Sequence, residues 1–115
     1  MSDWQNRCAD AVRLAPSADE PVAAARLLTL LLDPEDTAVT QAAAEALFQR
    51  GDLVAVRLFA EAFELSEEDT RNKLGDCLYD QQGSRWASVR SLLDEVPDEG
   101  HALRAHMSRE EQEHR

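Results

Sequence analysis

Shifted against itself by 31 residues, the chain lays apolar positions on apolar positions and turns on turns. Leu27 meets Leu58 and then Val89, Leu31 meets Ala62 and then Leu93, and Ala25 falls on Val56 and Ala87. In the companion segment Leu47 falls on Leu78, Ala43 on Leu74 and Ala44 on Gly75. Each unit reads as a helix, a short acidic turn, a second helix and a glycine-containing turn. A single helical hairpin cannot bury its apolar face, so such a repeat implies hairpins that stack and share one core.

Breakers divide the helical periodicity. Residues 3–14 form a first helix, with Ser2 as N-cap, Trp4, Cys8, Ala11, Val12 and Ala15 on one side, and Pro16 as terminator. A second begins near Glu20, with Asp19 as cap and Pro21 in the first turn, and stops after Leu32 at Asp33-Pro34. Asp36 or Thr37 caps a third, which Gly51 ends; Asp52 caps a fourth, from Leu53 to about Phe63. Ser66 and Asp69 resemble a capping box for a fifth helix over 67–81, which ends at Gln82-Gly83. Ser84 caps a sixth over 85–95, and Pro97 closes it. The segment 98–115 reads as a polar tail, helical or frayed over its last eight residues. Nowhere do β-branched residues alternate as a strand requires.

The expectation is therefore all-α: a short right-handed α-solenoid of stacked antiparallel hairpins, six or seven helices and no sheet. Residues 1–97 form one domain, with a cap helix 3–14, repeats over about 20–51 and 52–83, and a further helix 84–95. A chain of 115 residues suits one domain with a modest core. Aromatic residues make up only 5% of it, so Ala and Leu build that core, which favours closely packed helices. Cys8 and Cys77 have no second ligand at metal-binding spacing and read as small thiols in a reducing compartment; a lone disulfide between them is the alternative.

The stretch Leu31-Leu32-Asp33-Pro34-Glu35-Asp36-Thr37-Ala38-Val39, then Ala42-Ala43-Ala44-Glu45-Ala46-Leu47, then Arg50-Gly51-Asp52, resembles a HEAT repeat. It is closest to the short type also found in bilin-lyase proteins, and to small HEAT-like proteins of actinobacteria. Eleven Arg against one Lys fits a GC-rich bacterial genome. Thr40 stands where the family usually has Arg, and Arg71 fills the matching place in the next unit. There Thr70 replaces the family's valine and Asn72-Lys73-Leu74-Gly75 its alanine run. The resemblance covers residues 20–95 and implies a binding scaffold, naming neither ligand nor reaction.

The formal charge is −11. That argues against direct contact with nucleic-acid phosphates or anionic lipid, both of which need a positive face. No apolar run approaches a membrane span, and the charged residues Asp3, Arg7, Asp10 and Arg13 do not suit a signal peptide, so a cytoplasmic protein is expected. Residues 33–69 hold ten acids and two bases and supply −8 of the total. These acids follow the repeat: Asp33, Glu64 and Glu95 recur at 31, as do Asp36, Glu67 and Asp98. With Glu35, Glu68 and Asp69 they form the expected partner-binding edge, at the turns between paired helices. Helix capping explains one or two acids per turn, at about 0.3–1 kcal/mol each. It does not require three or four on adjacent turns within a Debye length of about 8–10 Å.

No catalytic constellation emerges. Arg50-Gly51-Asp52 already serves as last turn, terminator and cap, and Asp33-Pro34-Glu35-Asp36 lacks the EF-hand glycine and glutamate. His101, His106 and His114 are not spaced four apart and read as solvated; the glycines are isolated rather than gathered in a phosphate loop. Trp86 and Tyr79 read as packing residues, and Trp4 as the better interface candidate. The expected protein is a non-enzymatic interaction module without cofactor or metal, a monomer or weak dimer. Its partner is another protein with a basic surface, as an immunity protein facing a basic nuclease would have. The alternative is an accessory or chaperone-like subunit for a cofactor-handling, lyase-type enzyme. That would bind through the polar concave face at Thr40, Gln41, Glu45, Arg71, Asn72 and Asp76.

Overall fold

Proline and glycine set the helix ends. The computed structural model describes residues 3–79 and 83–113. Among them it has α1 (Asp3–Leu14), a 3-10 turn (Ala15–Ser17), α2 (Pro21–Leu31), α3 (Thr37–Arg50), α4 (Leu53–Leu65), α5 (Glu68–Asp76), α6 (Ser84–Leu93) and α7 (His101–Glu113), and no strand. Pro21 opens α2, where its missing N–H costs nothing. Gly51 ends α3 at φ 69°, a left-handed conformation that a side chain would strain, and its N–H bonds the Leu47 carbonyl at 3.1 Å. One residue on, Asp52 accepts from the Ala55 N–H at 3.1 Å and starts α4.

Other caps differ from expectation. Glu20, not Asp19, precedes α2. Ser66 turns backwards, its hydroxyl donating to the Phe63 carbonyl at 2.7 Å, so it closes α4 and does not cap α5. Ser84 is the first residue of α6, and Gly83 sits in the cap position. Helix α5 stops at Asp76, short of the expected 81. The N–H groups of Cys77, Leu78 and Tyr79 reach carbonyls three residues back at 3.1, 3.1 and 3.3 Å, tightening the last turn. Helix α6 ends at Leu93 in the same way, with Glu95 and Val96 bonded to Leu92 and Leu93. The expected Ser2 cap and Gln82 terminator lie outside the described residues.

The helices pack in two rows, α2–α4–α6 and α1–α3–α5, with α2 against α3 and α3 against α4. The principal extents are 44 × 27 × 26 Å. The repeat register is largely one of burial: Leu27, Leu58 and Val89 are all buried, as are Leu31, Ala62 and Leu93, whereas Ala25 and Ala87 are exposed where Val56 is buried. So are Ala43 with Leu74, and Leu47 with Leu78. Each such Leu or Phe contributes about 1.5–3 kcal/mol over its exposed state. In α1, Ala11 is buried but Val12 points outward at 64% exposure, so the expected apolar side is narrower than read.

Helix α7 leaves the row pattern and lies against α4 and α6. Leu103 and Met107, the two large apolar residues of this segment, are fully buried. The His106 ring lies 5.2 Å from that of Phe63. It also covers Gly75, where a Cβ would meet its Nε2 at 3.1 Å. His106 is thus half-buried rather than solvated, because α7 docks and brings it inside.

Candidate functional site

Arg7, Arg50, Arg57, Arg85 and Arg104 are engaged within the fold, whereas Arg13, Arg26 and Arg109 are exposed. Arg7 Nε reaches Asp33 at 3.0 Å and its Nη2 reaches Asp36 at 2.8 Å, tying α1 to the α2–α3 turn. Arg50 binds Asp52 through Nε at 2.9 Å and donates to the carbonyls of Ala15 and Pro16 at 3.0 and 2.8 Å, which gives the Arg-Gly-Asp triplet a structural role. Arg57 pairs with Glu99 at 2.7 Å. Arg104 donates to the Leu93 and Val96 carbonyls at 2.9 and 3.1 Å, with Asp94 3.5 Å away. Arg85 stacks on Phe48 and reaches Glu45 and the Cys77 carbonyl.

Against that accounting the expected acidic edge divides. The Glu64 carboxylate, in the last turn of α4, accepts from the Ala102 N–H at 3.1 Å and so joins the start of α7 to the α4–α5 turn. Three of the expected residues have internal duties. Asp33 is buried: it accepts from the N–H groups of Glu35 and Asp36 at 2.9 and 2.8 Å and pairs with Arg7. Burial alone raises its carboxyl pKa, but the two N–H groups and the guanidinium outweigh that and leave it below the ordinary value. Asp36 shares Arg7, and Glu64 holds α7. The other six, Glu35, Glu67, Glu68, Asp69, Glu95 and Asp98, are exposed. No ion pair or hydrogen bond among the described residues reaches their carboxylates.

The polar concave face is less available than its sequence suggests. Thr40 is fully buried in α3. Arg71 lies over the Phe63 ring at 5.4 Å and donates to the carbonyls of Phe63, Glu64 and Ser66, so it closes α4 instead of facing a ligand. Gln41, Glu45 and Asp76 line a shallow hollow of about 440 Å³ with Tyr79 and Arg85. Tyr79 is half-exposed and stacks on Trp86 at 5.3 Å; burial and the neighbouring Glu110 raise its pKa.

A larger cleft of about 620 Å³ runs beside α4, between the start of α2 and the end of α6. Its apolar floor includes Val54, Leu58 and Leu65, and its rim carries Asp19, Glu61, Glu64 and Glu99. Sequence reading missed Glu61 and this cleft. The signal was present in Leu53–Leu65, which is apolar on more than one side.

Cys8 and Cys77 are both free thiols. Burial, with Asp76 beside it, pushes the Cys77 thiol up to about 11, which suppresses the reactive thiolate. Among the described residues no three His, Cys, Asp or Glu side chains converge to hold a metal ion. Nor is any helix among them long and apolar enough to cross a membrane.

The fold and its surface define an acidic all-α protein of paired, stacked helices. Comparison with protein families, curated proteins and solved structures gives no match.

Proposed function

We propose that the chain is a non-catalytic, HEAT-like protein-interaction module whose acidic end receives the basic surface of another protein. The observation that carries this reading is the asymmetry of charge. Arg7, Arg50, Arg57, Arg85 and Arg104 are spent on internal carboxylates and carbonyls, while Glu35, Glu67, Glu68, Asp69, Glu95 and Asp98 face solvent without partners among the described residues. Uncompensated like charge held near itself costs stability, and a cationic surface relieves it while accelerating encounter. One concrete form is an immunity-like protein that covers the phosphate-binding face of a basic nuclease. The accessory-subunit reading has weaker support, because Thr40 is fully buried and Arg71 is occupied within the fold.

The test is copurification from the native host, identification of the partner by mass spectrometry, and titration of that partner against the variant E67K/E68K/D69K. Glu64 is left intact because it holds α7. Binding should weaken roughly tenfold or more and lose much of its salt dependence. Unchanged binding would refute the acidic end as the contact.

A further inference from the structure

Helix α4 has two apolar sides. Phe59 and Phe63 face the core and are fully buried. A second stripe, Val54, Leu58, Glu61 and Leu65, recurs at helical spacing along the cleft. The other sides of α4 are taken by α2, α3, α6 and α7; along this stripe Leu58 is buried and Val54 partly so, while Glu61 and Leu65 are exposed at the cleft. Leu65 is 60% exposed at its end. A helix apolar on opposite sides is expected to have neighbours on both.

We infer that the cleft beside α4 is the groove in which the partner docks a cationic amphipathic helix. This rests on the proposed reading of the chain as a binder of basic proteins, and it names the element that is read. Three observations select the occupant. The first is charge. On the rim Asp19 and Glu99 face Arg50 and Arg57 and the Glu64 carboxylate accepts from the Ala102 N–H, whereas no ion pair among the described residues reaches Glu61. An incoming Arg or Lys would compensate it, and a second copy of this chain, at −11, would add repulsion.

The second is length. From Val54 to Leu65 the stripe rises about 16 Å at 1.5 Å per residue, so three turns of helix, eleven or twelve residues, would cover it. The third is the kind of contact on offer. Between its ends helix α4 pairs its main-chain groups internally, and there is no strand among the described residues, so an extended peptide finds no edge to pair with. Recognition has to come from side chains at i, i+3, i+4 and i+7, flanked by cations.

The test uses the full chain and two fluorescein-labelled peptides of about eighteen residues, identical in Leu, Ala and Arg content. One places Leu on a single helical face; the other is scrambled. Anisotropy titrations at physiological salt should show the amphipathic peptide binding at least about tenfold more tightly than the scrambled one. Glu61→Arg and Leu65→Ser, tested separately, should each erase most of that difference. Both positions are exposed, so circular dichroism should show both variants folded like the parent. Equal binding of the two peptides, weakened only by E67K/E68K, would overturn the groove and leave the acidic end standing. Failure of both peptides to bind would overturn the groove and count against the acidic-partner reading as well. Self-association detected by sedimentation, abolished by Leu65→Ser, would assign the groove to a second copy and overturn it too.

Discussion

Leu103→Ala tests how the chain closes its stack. Leu103 is fully buried between α7 and the helices beneath it, so truncation removes three buried heavy atoms and leaves a void. Lost transfer energy plus cavity places the cost in the range of about 2–5 kcal/mol, and about 3 kcal/mol is a reasonable centre. Unfolding entropy of about 2.1 cal/mol/K per residue, over 115 residues, gives about 0.24 kcal/mol/K. The expected fall in Tm is therefore about 12 °C, read by circular dichroism at 222 nm. Ala105→Gly on the exposed side of α7 removes helix propensity without touching the core and should cost only about 1 kcal/mol, or about 4 °C. If Leu103→Ala proved no worse than Ala105→Gly, α7 would be a helix that does not dock. The groove wall it helps to form would fall with it.

Three further outcomes follow from the same geometry. Burial, with Arg109 and Arg71 nearby, outweighs Glu110 and holds the His106 imidazole below its ordinary 6.5, so the folded chain keeps it neutral. Between that lowered value and 6.5 the unfolded chain binds more protons, so stability should drop as pH falls through this window, and His106→Leu should flatten the drop in urea melts. Asp33, with its pKa lowered in the fold, contributes stability that is present above the ordinary 3.8 and lost as pH falls through the lowered value. Asp33→Asn should cost about 1–3 kcal/mol at pH 7 and show a shallower acid transition below pH 4; equal acid sensitivity in both proteins would refute the Arg7–Asp33 tie. In a thiol-labelling time course at pH 8, Cys8 should react well before Cys77, and the mass without reductant should show no disulfide.

The repeat was legible because burial obeys it. Leu31, Ala62 and Leu93 need only occupy matching places to be recognised, and proline and glycine mark where each helix stops. Caps were less legible. Whether Ser66 closes α4 or opens α5 depends on which free backbone group its hydroxyl meets, and both are within its reach by sequence. The site was read only in outline. Asp33 and Glu67 look alike in a turn, but Asp33 is claimed by Arg7, twenty-six places earlier and on another helix. Glu99 is likewise claimed by Arg57, 42 residues away. Such pairings arise from packing, so sequence located the acidity and the fold decided which carboxylates remain free. The α4 cleft escaped because an apolar stripe reads as core until its neighbours are known.

The central claim, that the acidic end and the groove beside it form one basic-partner surface, meets its most direct test in a residue-resolved map. Uniformly 15N-labelled protein would be titrated with the amphipathic Leu/Arg peptide and followed by two-dimensional 1H–15N correlation spectra. Shifts should concentrate in Leu53–Leu65, at Glu67 to Asp69 and around Leu93 to His101, with α1 unmoved. Shifts centred instead on the hollow of Gln41, Glu45 and Asp76, or on the outer side of α1 around Trp4, would contradict it.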